Sequence, residues 1–196
     1  MSCKVRFAPS PTGFMHVGNA RIAVVNYLFC RKHNDGRFLL RIDDTDTTRS
    51  EKRYEDSIIS DLEWLGISYD EFFRQSEKIN RYREVMEQLI TGGFLYECFE
   101  TPEELEYKRR NAISKGMAPV YDRASLNLTD AEKEALRNNG TAGYWRFKLP
   151  NKVVSWSDII LGEISYDLSS ISDPVIVKAD GTFLYTFSSV VDDFDA

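Results

Sequence analysis

Apolar residues in the first third of the chain alternate between short continuous runs and spaced sets. Lys4–Ala8 reads as a strand, and Gly18 to about His33 as a helix with Ile22, Val25 and Phe29 on one face. Asn34-Asp35-Gly36 signals a turn, after which Phe38-Leu39-Leu40-Arg41-Ile42 reads as a buried parallel strand. Strand, helix and strand make one βαβ unit with a right-handed crossover. A second helix is expected from an N-cap at Ser50, through Tyr54, Ile58, Leu62 and Leu65, to a stop at Gly66. Ile67–Asp70 reads as the strand or turn that closes this half. Ser76 opens a third helix, with Ile79, Tyr82, Met86 and Leu89 periodic and Gly92-Gly93 at its end.

Beyond residue 100 the texture changes. Thr101-Pro102-Glu103-Glu104 and Thr129-Asp130-Ala131-Glu132 are capping boxes, the first with proline at the opening helical position. Short strands are predicted at Tyr144–Leu149, Val153–Trp156, Glu163–Tyr166 and Pro174–Lys178. Asp180-Gly181 is a hairpin turn leading into a last strand, Thr182–Phe187. The pattern therefore predicts an α/β fold that begins βαβαβ and gives way to mixed helices and antiparallel strands.

The segment between the first strand and first helix, Ala8-Pro9-Ser10-Pro11-Thr12-Gly13-Phe14-Met15-His16-Val17-Gly18-Asn19, carries the chemistry. A strand, a glycine-containing loop and a helix start form an anion site, because free backbone N–H groups and the positive end of the helix dipole face the ligand. His16 stands just before the helix, where a ring N–H can reach phosphate oxygens, and Arg21 adds charge one turn in. The spacing is neither that of a P-loop nor Gly-x-Gly-x-x-Gly. The alternative for His16, a residue that only caps its helix, is the less favoured one. Ligands in open parallel sheets sit beyond the carboxyl ends of the strands, which assigns Ser10 and Asp43 to one mouth.

Composition changes this picture little. The 196 residues are 42% hydrophobic and 29% charged, as in an ordinary globular chain. The net charge of −6 looks wrong for a partner of RNA, but Met1–Arg41 holds seven Lys or Arg against one acid, a balance of +6 that leaves −12 for the rest. Positive charge is thus concentrated around the loop. Cys3, Cys30 and Cys98 are scattered and unpaired in spacing, which argues against disulfides and against a zinc cage. The start has no apolar leader, and no run is long enough to span a bilayer, so the expected location is cytoplasmic, with no membrane partner.

Ser10-Pro11-Thr12-Gly13 followed by His16-Val17-Gly18-Asn19 resembles the signature of class I glutamyl-tRNA synthetases of bacterial type, the second tetrapeptide being a variant of their "HIGH" motif. Arg41-Ile42-Asp43-Asp44-Thr45-Asp46 resembles the same family's second block. The resemblance implies a Rossmann-like nucleotide-binding half with an inserted α+β connective domain for the tRNA acceptor end. The implied division is residues 1–75 for the first half of the catalytic domain, 76–186 for the insertion and 187–196 for the start of the returning half. The implied activity is ATP-dependent formation of glutamyl-adenylate and transfer to tRNA-Glu.

By the same resemblance Ser10, Thr12, Gly13, His16, Gly18 and Asn19 bind ATP, with His16, Gly18 and Asn19 acting in catalysis. Arg6, Ala8, Ser10, Asp43 and Tyr185 bind glutamate: Arg6 takes the side-chain carboxylate and Asp43 the α-ammonium. Asp43 stands where most members have glutamate, one methylene longer. Tyr185 is expected at the end of a late strand, and Ser189 stands where some members have asparagine. Mg²⁺ is expected to travel with ATP, although Asp43, Asp44 and Asp46 form an acidic run, and a protein-bound metal is not expected. Some relatives bind zinc near Cys98 with paired cysteines; Tyr96-Glu97-Cys98-Phe99-Glu100 lacks the second cysteine, so no zinc is expected. Lys108, Arg109, Arg110, Lys115 and Arg123 are candidates for the tRNA backbone, or simply a solvated helix face. Asp192, Asp193 and Asp195 read as structural caps.

Family members continue past Asp193 into a half that carries a further substrate arginine and a Lys-Met-Ser-Lys-Ser loop. The chain is therefore expected to be the N-terminal part of a longer, monomeric enzyme and to be inactive alone. The alternatives are a glutamyl-queuosine tRNA(Asp) synthetase, or a non-catalytic fragment that binds nucleotide or tRNA.

Overall fold

A computed structural model describes residues 3–196, which divide into two compact units, 3–83 with 188–196, and Glu84–Phe187. In the first unit β1 (Lys4–Phe7), β2 (Arg37–Ile42) and β3 (Glu71–Arg74) form a parallel sheet in that order. Register pairs Arg6 with Leu39 and Leu40 with Phe72. The crossovers are α1 (Val17–Arg31) and α2 (Lys52–Trp64).

Side chains alternate across a strand, so Phe38, Leu40 and Ile42 share one face of β2. They are buried with Phe7, Ala23, Cys30, Ile58, Leu62 and Ile67 in a single core against α1 and α2. Burying each large side chain is worth about 1.5–3 kcal/mol. The other face of β2 carries Leu39 and Arg41. There Arg41 meets the C-terminal part of α6 (Tyr185–Asp195), whose residues from Ser188 onward belong to this unit.

The buried face of α1 differs from the one expected. Ile22 and Val25 are 54% and 55% exposed, whereas Ala23 and Cys30 are fully buried, with Tyr27 packed on the same core. The helix is apolar nearly all round, so periodicity alone does not select a face. Helix α2 keeps the expected set, with Ile58 and Leu62 in the core and Gly66 at φ +70° after its end. Its N-cap position is Glu51; the Ser50 hydroxyl is buried without a partner. Ile67–Asp70 precedes the strand, which begins at Glu71. Ser76 lies in a 3₁₀ turn, Gln75–Lys78, ahead of α3 (Ile79–Thr91), and its hydroxyl donates to Asp44 Oδ2 at 2.6 Å.

In the second unit an antiparallel sheet has the order β4 (Leu95–Cys98), β5 (Tyr144–Phe147), β8 (Val175–Val177), and β6 (Val153–Asp158) pairs with β7 (Gly162–Asp167) as a hairpin. Both capping boxes form, opening α4 (Pro102–Ser114) and α5 (Asp130–Asn138). Strand β4 has no counterpart among the sequence expectations. Buried Asp173 ties this unit together, accepting from Tyr96 Oη at 2.6 Å, Arg123 Nη2 at 2.7 Å and the Leu149 N–H at 2.9 Å. The turn at Asp180-Gly181 is present, with Gly181 at φ +81° and the Lys178 N–H bonded to Thr182 O at 2.9 Å. The expected strand Thr182–Phe187 is not. One isolated bridge joins Val177 to Phe183, and α6 begins at Tyr185.

Candidate functional site

The mouth lies where β1 and β2 end side by side. Two backbone bonds fix the loop leaving β1: the Asp43 N–H donates to Pro9 O and the Glu51 N–H to Pro11 O, both at 3.0 Å. Ser10 and Thr12 are exposed on this loop, whereas Pro9 and Pro11 are buried beneath it. Ala8 and Gly13 are half-buried. A Cβ at Gly13 would meet nothing within 4 Å, so packing in the loop does not require glycine there.

His16 occupies the N-cap of α1, and its Nδ1 accepts the Gly18 N–H at 3.0 Å. In the neutral ring this leaves the proton on Nε2. The capping role and the donor role are therefore compatible, one nitrogen serving each. Gly18 lets the ring fold back, because a Cβ there would lie 2.8 Å from His16 Cε1. Asn19 follows in the first turn, which contains no acidic residue, so the dipole end stays favourable to an anion.

Beside this mouth lies a charged cluster on the α6 side of the sheet. Arg6 donates from Nε and Nη2 to the two oxygens of Asp193 at 2.6 and 2.8 Å. Arg41, with no exposed surface, donates from Nε and Nη2 to the two oxygens of Asp43 at 2.6 and 3.1 Å. It also reaches Ser189 Oγ at 3.0 Å and Asp193 Oδ1 at 3.2 Å, with Asp192 Oδ2 at 3.4 Å. Burial pushes the Asp43 carboxyl above its ordinary range, opposed by the hydrogen bonds and charge of Arg41 and by the charge of Arg6. Burial also acts on Asp193, but there Arg6 and Arg41 prevail and hold its carboxyl low.

Of the expected glutamate residues, Arg6 and Asp43 thus join one cluster, with Asp43 only 4% exposed and already gripped by Arg41. Tyr185 stands elsewhere than expected: it is the first residue of α6 rather than a strand end, 57% exposed, and belongs to the second unit. The acidic run does not converge. Asp43 bonds Arg41, Asp44 bonds Ser76, and Asp46 bonds Arg49 and the Thr48 N–H. Among the described residues no group of three or more His, Cys, Asp or Glu is placed to hold a metal ion. Cys98 is buried on β4 with Tyr121 Oη 3.6 Å from its sulfur, and burial pushes its thiol up.

Sequence reasoning gives Arg41 no role, Asp192 and Asp193 only one as caps, and Ser189 only a place where some members have asparagine, yet all four join this cluster. The available signal was a charge inside the apolar run Phe38–Ile42, since a buried arginine requires partners. Most of the basic candidates in the second unit are already paired, Lys108 with Asp122, Arg109 and Arg110 with Glu106, and Arg123 with Asp173.

A family model described as tRNA synthetases class I (E and Q), catalytic domain, matches residues 2–196. Similar curated proteins include glutamate–tRNA ligase 2 of Gluconobacter oxydans (strain 621H), 55% identical over 192 residues, and glutamate–tRNA ligase 1 of Maricaulis maris (strain MCS10), 54% identical over 193. Each alignment takes in 98% of this chain and 43% of the relative, so the chain spans less than half the length of these relatives. Among solved structures, a glutamate tRNA ligase from Elizabethkingia meningosepticum CCUG26117 in complex with its amino acid matches with a TM-score of 0.87 and 37% identity, over 100% of this chain and 42% of that one. The parallel sheet with its helix-capped loop is accordingly the Rossmann-like fold of these enzymes, and the chain belongs to the class I tRNA synthetases of the E and Q group.

Proposed function

We propose that this chain supplies the N-terminal, substrate-activating part of a glutamate–tRNA ligase. In the first step the α-carboxylate of glutamate attacks the α-phosphorus of ATP and pyrophosphate leaves. In the second, the terminal ribose hydroxyl of tRNA-Glu attacks the activated carbonyl and AMP leaves. Attacker and target in the first step are both anions, so the site contributes positive potential and orientation rather than a nucleophile. The α1 N-terminus, with the Gly18 and Asn19 region and the His16 Nε2–H, serves the phosphates, and Ser10, Thr12 and Gly13 line the nucleotide's approach. Arg6 and Asp43, with Ala8 and Ser10, form the amino-acid side of the same mouth. Mg²⁺ rides on the phosphates of ATP, because the carboxylates of residues 43–46 are turned to other partners. The second unit is the connective element for the tRNA acceptor end.

The observation that carries this reading is the α1 N-terminus, free of acids and capped by His16, beside the Arg6–Asp43 cluster. Glutamate- and tRNA-dependent ATP–pyrophosphate exchange by the protein that carries this chain tests it. The wild type should exchange, and His16→Ala should lose about 10²–10³-fold in kcat, as when one donor to a developing anion is removed. Exchange that ignores glutamate, or a variant as active as wild type, would overturn the reading.

A further inference from the structure

We propose that Arg41 is a positioning residue for amino-acid recognition, aiming the Asp43 carboxylate at the substrate ammonium while touching no substrate itself. The inference rests on the reading of Asp43 as the ammonium partner. Arg41 is fully buried, so it acts only through what it holds. Its grip on Asp43 is two-pronged, Nε to Oδ1 and Nη2 to Oδ2, and fixes both the distance and the plane of the carboxylate. The same guanidinium reaches Asp193, which in turn holds Arg6. One side chain therefore sets both arms of the amino-acid side, from β1 and from just beyond β2.

A short aspartate in this place makes the device more necessary. Its carboxylate sits close to the backbone in a buried setting, where an unsupported charge would take up a proton. The groups facing it are Arg41 from β2, Arg6 from β1, and Asp192 from α6. Of these Asp192 opposes the ionisation of Asp43, and Arg41 is the cation in direct contact. Removing its charge would let burial raise the Asp43 carboxyl further, and a neutral acid no longer attracts an ammonium.

The test measures KM for glutamate and for ATP in pyrophosphate exchange, from acidic to neutral pH, for wild type, Arg41→Lys and Arg41→Gln. Lysine keeps a charge against the buried acids but loses the fork, so it guards against a variant that merely unfolds. The Lys variant should raise the glutamate KM about tenfold, the equivalent of one charge-assisted hydrogen bond, with the ATP KM unchanged. In the Gln variant the acidic limb of the glutamate dependence should move about one pH unit upward or more. Equal changes in both KM values, no change in either, or a Lys variant that does not fold would assign Arg41 to folding alone and overturn the proposal. A wild-type protein without glutamate-dependent exchange would instead overturn the reading on which it rests.

Discussion

Replacing Asp192 by alanine should cost the first unit about a third or more of its stability. Asp192 is 1% exposed and accepts from Gln75 Nε2 at 2.8 Å and from Tyr82 Oη at 3.0 Å, with Arg41 Nη1 at 3.4 Å. Burial, reinforced by the Asp192 charge, pushes the Tyr82 hydroxyl well above its usual range, so it remains a donor. Alanine takes this acceptor away from the buried Gln75 amide and Tyr82 hydroxyl, at about 1–2 kcal/mol each, and takes one carboxylate from Arg41. Arg41 keeps Asp43 and Asp193, which limits the total to about 3–5 kcal/mol. Against an overall stability of about 5–15 kcal/mol this is a severe loss. With a urea m-value of about 2 kcal/mol/M, the midpoint should fall by about 2 M. Hydrogen exchange across a urea series, read on peptides covering Phe38–Ile42, isolates this unit. A midpoint lowered by less than about 0.5 M would refute the claim that Asp192 anchors the C-terminal part of α6 to Gln75 and Tyr82.

Gly36→Ala should lower the melting temperature by about 10 °C, since a Cβ there would lie 2.1 Å from Cys30 O, a backbone atom that cannot move without disturbing the end of α1. Calorimetry checks this, and an unchanged transition would contradict it. The Glu55 carboxyl is held below its ordinary range, chiefly by hydrogen bonds from Arg74. Its folded pKa being depressed, the stability it adds is present above about pH 4.3 and is lost as pH falls through the lower, folded value. Urea midpoints from pH 7 to pH 3 should therefore decline more steeply for wild type than for Glu55→Gln, and identical slopes would contradict the assignment. In the second unit Tyr96→Phe should cost about 1–3 kcal/mol in urea unfolding, because it removes a 2.6 Å bond to buried Asp173; a loss under about 0.5 kcal/mol would count against that bond.

The elements that could be read from sequence are those whose determinants are local. Proline and glycine punctuate the loop after β1, Thr–Glu pairs write the two capping boxes, and an unbroken apolar run marks β2. Other features depend on partners distant in the chain. Ile22, Val25 and Phe29 share a face as credibly as Ala23, Tyr27 and Cys30 do, and only the packed sheet distinguishes them. Thr182–Phe187 alternates like a strand, yet Phe183 and Phe187 lie four apart and stack at 5.5 Å, a helical spacing that the same residues also satisfied. Strand β4 is four residues following a double glycine, too short for periodicity to register. The charged cluster joins Arg41 to residues 148 and 152 positions away. Its one local trace was the isolated charge in an apolar strand.

The most direct measurement is calorimetric titration of the protein with a non-hydrolysable glutamyl-adenylate analogue. The account predicts saturable binding that competes with both ATP and glutamate and that weakens at least tenfold in His16→Ala and in Asp43→Ala. No saturable binding, or binding that neither substitution alters, would contradict it.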